Sequence, residues 1–227
     1  MPWRLLWTAL LPALVSLTAS AEPLEAVLAR LDKAAAEFRD LTADFSRTNY
    51  TAVLNETTQE SGKLWIRRAG PRNRLMRVEF DGPNPRSLSF DGSQGQIFYP
   101  KILTVQIYDL GKHRSLVDQF LLLGFGTAGR DLARSYNIKV AGETTAAEHE
   151  GTRIELAPKS AEVAQHVLAV ELVIPHDAGY PVQQRFSLPG GDWARVVYSA
   201  VRWNPNLPEA QFRLNLPKGV KREYPQK

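Results

Sequence analysis

The chain has 227 residues, 44% of them hydrophobic and 23% charged, with no cysteine and a formal net charge of +4. Acids and bases are interspersed, which argues against nucleic-acid binding, where lysine and arginine gather on one face. Without a thiol the chain can form no disulfide and carry no lipid on an N-terminal cysteine.

Trp3 and Arg4 precede an apolar run, Leu5 to Leu17, and Ala19-Ser20-Ala21 supplies the small-x-small pattern that a signal peptidase cuts. The expected outcome is an export signal over residues 1–21, a mature chain from Glu22, one domain over 22–227, and a periplasmic location. That compartment removes ATP and nicotinamide cofactors from consideration. No later run reaches the ~18 consecutive apolar residues of a membrane helix.

Residues 22–38 read as a helix, with Leu24, Val27, Leu28, Leu31, Ala35 and Phe38 at three-and-four spacing. From Leu41 the period becomes two, as Leu41, Ala43 and Phe45 alternate with Thr42, Asp44 and Ser46. Further strands are expected near 59–68, 74–81, 86–91, 95–100, 103–110, 137–142, 152–158, 166–174, 181–188, 194–203 and 211–216. Their short connections imply antiparallel neighbours and one long meander of twelve strands. Several strands are apolar on both faces, as in Leu168, Val170, Leu172 and Ile174 against Val167, Ala169 and Val173. One face should pack helices, and the N-terminal helix is a candidate cover for the other.

The pattern breaks between 111 and 136. Ser115 can cap a short helix (Leu116, Val117, Phe120, Leu121, Leu122, Leu123), and Arg130 to Tyr136 can form another. A helix apolar around nearly its whole circumference cannot lie on a surface, so Leu116 to Phe125 should be buried on several sides inside the curl of the sheet. Gly124-Phe-Gly126-Thr-Ala-Gly129 matches G-x-G-x-x-G, but a leucine-rich helix precedes it and no parallel βαβ unit surrounds it. Its glycines read as a hinge between lid helices.

In Gly62-Lys63-Leu64-Trp65-Ile66-Arg67-Arg68, period two places Leu64, Ile66 and Arg68 on one face. If that face is concave, the Arg68 guanidinium stands at the rim of an apolar cavity, where its donors could hold carbonyls of the helical segment. From the strand alone a second placement stays open, and is the commoner one: the strand ends at Ile66 and Arg68 is solvated.

Gly62 to Arg68, Ser89-Phe90-Asp91-Gly92 leading to Phe98-Tyr99-Pro100, Leu156-Ala157-Pro158-Lys159, Asn204-Pro205, and Phe212 through Pro217-Lys-Gly219-Val220 resemble, in order, the periplasmic lipoprotein carrier family LolA. The resemblance implies a mainly β fold with a few helices, a single unclosed antiparallel half-barrel with a helical lid over an apolar cavity. It implies transport of lipidated proteins from an inner-membrane lipoprotein release complex to an outer-membrane lipoprotein receptor, with no enzyme chemistry and no cofactor. It makes Arg68 the lid latch and leaves Arg74 and Arg77 as alternatives for the family's second arginine. Leu64, Ile66, Met76, Val78, Phe80, Leu88 and Phe90 are then expected to line the lipid-binding cavity. Leu116, Phe120, Leu121 and Leu123 should fill it until lipid displaces them. Where family members place aromatic residues near Phe-Arg-Trp, this chain has aliphatic ones, which opens the identity of the cargo. A carrier of another lipid and a regulator that senses lipoprotein are the alternatives on the same fold. The expected state is a monomer without nucleic acid, metal or catalytic residue.

An outer-membrane barrel would also be strand-rich and exported. Its strands would be longer and uniformly apolar on one face, whereas these carry Arg77 and Glu79, Arg153 and Glu155, and Glu171. The four histidines, His113, His149, His166 and His176, show no ligand spacing, and no Gly-x-Ser-x-Gly elbow is present.

Overall fold

The computed structural model describes residues 22–70, 73–111 and 123–226. The expected export signal, Ser115, and Leu116, Phe120 and Leu121 of the expected lid lie outside the described residues.

Helix α1, Leu24–Glu37, starts on Pro23, whose carbonyl accepts from the amides of Ala26 and Val27, and it buries Val27, Leu31 and Ala35. The backbone turns extended at Phe38 and enters β1, Asp40–Thr51. Five further strands follow by short connections: β2, Glu56–Arg68; β3, Arg74–Phe80; β4, Arg86–Phe90; β5, Gln94–Tyr99; β6, Thr104–Asp109. Helix α2, Gly129–Ser135, leads into β7, Tyr136–Ala146, and β8, His149–Pro158. After the one-turn α3, Ala161–Ala164, come β9, Ala169–Pro175, β10, Gln183–Ser187, β11, Trp193–Trp203, and the short β12, Lys221–Glu223.

All twelve strands form one unclosed sheet in the order β12-β6-β5-β4-β3-β2-β1-β11-β10-β9-β8-β7. The expectation of one continuous meander is corrected here. Two meanders, β1 to β6 and β7 to β11, join in the middle through β1 and β11, with Phe45 opposite Tyr198 and Arg47 opposite Val196. The outermost pair is also not antiparallel, since β12 runs parallel to β6.

Residues 211–216 are not a strand. Glu209–Phe212 is a 3₁₀ turn, and its segment lies across the convex face of β2, β3 and β4. Prolines at 205, 208 and 217 remove ladder donors, and side chains take the free carbonyls instead. Arg67 donates to Leu207 O at 2.9 Å, Arg77 to Gln211 O and Arg213 O, and Ser89 to Phe212 O. Phe212 is buried there. This segment, rather than α1, covers the second face.

Helix α1 lies on the concave face. Val27 and Leu31 pack with Leu123, Leu132, Ile154 and Leu172, while Phe38 joins Phe45, Leu64, Ile66, Met76 and Phe125 in a neighbouring cluster. Both clusters sit on the same side of the sheet, since Phe45, Leu64, Tyr198, Ile154 and Leu172 share a register parity. Helix α2 approaches α1 so closely that a Cβ on Gly129 would stand 2.4 Å from the carbonyl oxygen of Leu28.

The junction of α1 and β1 is pinned to the chain leaving β11. Asp40 is 3% exposed, and its carboxylate accepts from the amides of Asn206 at 3.0 Å and Leu207 at 3.2 Å. Asn204 accepts from the amides of Arg39 and Asp40 and donates to Glu37 O. An Asp40→Ala variant is expected to lose about 2 kcal/mol, the size of a lost charge-assisted bond. Its urea midpoint should fall with an unchanged slope, and Asp40→Asn should retain part of the loss.

Candidate functional site

The concave face of β1, β2, β3, β10 and β11 carries an apolar cleft of about 240 Å³. Period two aims Phe45, Leu64, Val78, Phe80, Ala194 and Val196 into it from successive strands, and Met76, Val167, Gln184, Phe186, Tyr198 and Arg47 complete the wall. Of the residues expected to line a cavity, Leu64, Met76, Val78 and Phe80 are in this wall. Ile66 and Phe90 are buried in the adjoining core cluster, and Leu88 packs against it from a partly exposed position. Leu123 is buried in the second cluster, beside α1.

Residues 123–128 run between the two clusters and are tethered at several points. Gln184, 3% exposed, donates to Leu123 O, and its own oxygen accepts from Tyr198 Oη at 2.9 Å. Phe125 is fully buried, edge-on to Tyr198 at 4.9 Å. Burial pushes the Tyr198 hydroxyl well above its ordinary range, so it stays a neutral donor.

Arg68 points to the concave side, as its parity with Leu64 and Ile66 requires. Its Nη2 donates to Ala35 O at 2.7 Å and to Gly126 O at 3.2 Å, and its guanidinium lies 5.7 Å from the Phe38 ring centre. The solvated placement left open by the strand is therefore not the observed one. Arg74 faces Arg68 directly across the β2·β3 ladder and donates to the same carbonyl, Gly126 O, at 3.3 Å. Arg77 lies on the convex face, bonded to Glu79 and to the 209–213 segment. Arg74 is thus the arginine that shares a site with Arg68.

Gly126 has a φ of +63°, and a Cβ there would stand 2.2 Å from the Phe38 ring. Only glycine fits this turn, which presents its carbonyl to both guanidiniums. The G-x-G-x-x-G pattern is thus a loop pressed on an aromatic ring.

Sequence reasoning missed Gln184, Tyr198 and Arg47. Gln184 carried a signal, a polar residue at a core parity in the strand expected at 181–188. The others depend on which strands become neighbours.

A polar cluster fixes the start of α1 to β7 and β8. Glu22 accepts from Arg30 Nη2 at 3.0 Å and Thr152 Oγ1 at 2.9 Å, and Glu143 accepts from the Glu22 amide at 2.8 Å and lies 2.8 Å from His176 Nε2. The Arg30 hydrogen bond holds the Glu22 carboxyl below its ordinary value. For Glu143 burial alone would raise it, but bonds from Glu22, His176 and Thr152 together outweigh burial and lower it. A depressed carboxyl stabilises the fold above the ordinary value of 4.5 and loses that contribution as pH falls through its folded-state value. Glu22→Gln should therefore lower the unfolding midpoint at pH 7, and the gap to the parent should close in acid below pH 4.5.

A family model described as outer membrane lipoprotein carrier protein LolA matches residues 36–213. The chain belongs to the LolA family. Membership supports a lipid- or lipoprotein-binding carrier in general, and binding rather than enzymatic work. No curated protein matches by sequence. Among solved structures, MucB is similar at a TM-score of 0.53 and 16% identity, over 84% of this chain and 62% of that one. The chain thus spans less than two thirds of MucB. An uncharacterized conserved protein from Thermus thermophilus is similar at a TM-score of 0.55 and 16% identity, over 88% of this chain and 98% of the other. At such identity these likenesses show the LolA-type fold alone. Among the described residues no helix is long and apolar enough to cross a membrane.

Proposed function

We propose that this LolA family protein is exported to the periplasm and shields the acyl chains of lipidated proteins between an inner-membrane release complex and an outer-membrane receptor. The observation that carries this reading is the apolar cleft on the concave face, beside a chain segment that Arg68 and Arg74 hold by one shared carbonyl. The cleft, at about 240 Å³, is smaller than the roughly 300–1,000 Å³ typical of small-molecule sites. It takes part of one acyl chain, and a triacyl cargo requires it to widen. Arg68 is the latch that opposes widening, and Leu116, Phe120 and Leu121 compete with lipid for the apolar wall.

Such competition answers an energetic problem. At about 0.8 kcal/mol per methylene, a chain of roughly fourteen methylenes gains on the order of 11 kcal/mol on burial. A carrier that unloads without nucleotide needs a closed form of comparable free energy, which internal leucines and a latch provide.

Native mass spectrometry of the protein released from cells by osmotic shock tests the reading. The expected mass is that of the chain from Glu22 plus a triacyl lipoprotein. A bound free lipid instead would assign the fold to another cargo. Retention in the membrane fraction, or an uncleaved chain, would overturn the periplasmic assignment.

A further inference from the structure

Arg47 is a charged residue built into the apolar wall of the cleft. It follows Phe45 on the concave side of β1, faces Val196 on β11 and Glu60 on β2, and lines the cleft with Val78 and Phe80. Its Nε is buried with no hydrogen-bond partner among the described residues. Burial works against its charge, partly offset by Glu60 and reinforced by Arg86, yet a guanidinium stays protonated under physiological conditions. Glu60 does not neutralise it alone. Arg86 Nη1 lies 2.8 Å from Glu60 Oε1, with the Arg86 guanidinium stacked 3.7 Å from the Phe80 ring centre. Two guanidiniums therefore share one carboxylate at the edge of the cleft, leaving an excess positive charge. The remaining partner of Glu60 is the neutral Asn49. A leucine or methionine would fill the Arg47 position without the penalty of an unpaired buried donor.

We infer that the cleft selects amphiphiles with an anionic head group, a phosphate or a carboxylate, which docks on Arg47 while the acyl chain runs over Phe45, Leu64 and Val78. This rests on acyl carriage in the cleft and extends it to a second ligand class, anionic lipids, since the uncharged thioether-glyceride head of a triacyl lipoprotein offers Arg47 no oxyanion. The guanidinium fork matches both oxyanions in bidentate geometry, and the dry wall around it strengthens the pairing. Arg86, already committed to Glu60, keeps that carboxylate from repelling the incoming anion.

The test is competition for a fluorescent fatty-acid probe by three ligands of equal chain length, each below its critical micelle concentration. Hexadecyl phosphate, palmitate and hexadecanol differ only in the head. The protein should prefer both anions to the alcohol by about tenfold or more. Arg47→Gln should lose that preference, and Arg47→Lys should keep part of it. A phosphate preference over carboxylate would point to phospholipid, and the reverse to free fatty acid. Equal binding of all three by the parent protein would overturn head-group selection and leave acyl carriage standing. A preference that survives in Arg47→Gln would overturn the role of Arg47. Failure to bind any of the three would remove the carrier reading and this inference together.

Discussion

Arg68→Leu is expected to load acyl cargo normally and to release it about tenfold more slowly. The side chain makes two bonds from a charged donor to neutral carbonyls, Ala35 O at 2.7 Å and Gly126 O at 3.2 Å. Bonds of this kind contribute roughly 1.5–3 kcal/mol each, and partial exposure together with the remaining Arg74 contact brings the net loss to the lower end. That loss falls on the form in which residues 123–126 are seated. A ligand that requires them displaced then binds with correspondingly higher apparent affinity and leaves more slowly. Arg74→Leu should act in the same direction, and the double variant should differ from the sum of the single effects because both arginines hold one oxygen. Transfer of a bound fluorescent acyl probe to acceptor vesicles measures the rate. Unchanged release in a variant that folds normally would show that the two bonds only support the fold.

Filling the cleft should have the larger effect on binding. Val196 stands in its wall on β11, and Val196→Trp places an indole where lipid would lie. Displacing about four methylenes removes roughly 3 kcal/mol, a hundredfold in affinity. Val197 is the neighbouring residue on the same strand and so points to the convex face. Val197→Trp is expected to bind the probe as the parent does. Equal effects from the two variants would mean that the loss reflects damage to β11 and not occupation of the cleft.

Local periodicity made much of this fold readable. The three-and-four spacing of Val27, Leu31 and Ala35 marked α1, and alternation in Leu41 to Phe45 and Leu64 to Arg68 marked β1 and β2 with their buried face. What stayed hidden is non-local. Pairing of β1 with β11 joins segments far apart in sequence, and no short window encodes it. Whether Arg74 or Arg77 comes beside Arg68 turned on how many residues the β2·β3 turn absorbs, and the register Arg68↔Arg74 puts Arg74 there. The stretch at 211–216 alternates like a strand, yet its carbonyls are taken by Arg77 and Ser89 from the convex face. Which face α1 covers was open for the same reason, because an amphipathic stripe states that it is buried but not against what. No local pattern singles out Arg47, and only the neighbours Glu60, Val196 and Phe80 turn it into a feature of the cleft.

On the proposed function, acyl chains occupy the concave cleft. A fatty acid carrying a photoreactive diazirine near its tail, bound to the purified protein and irradiated, tests this by peptide mapping of the adducts. Labelling should concentrate on Phe45, Leu64, Val78 and Val196, and be lost when Val196 is replaced by Trp. Adducts confined to the exposed apolar residues Val53, Leu54, Ile102 and Leu103, with the cleft unlabelled, would contradict it.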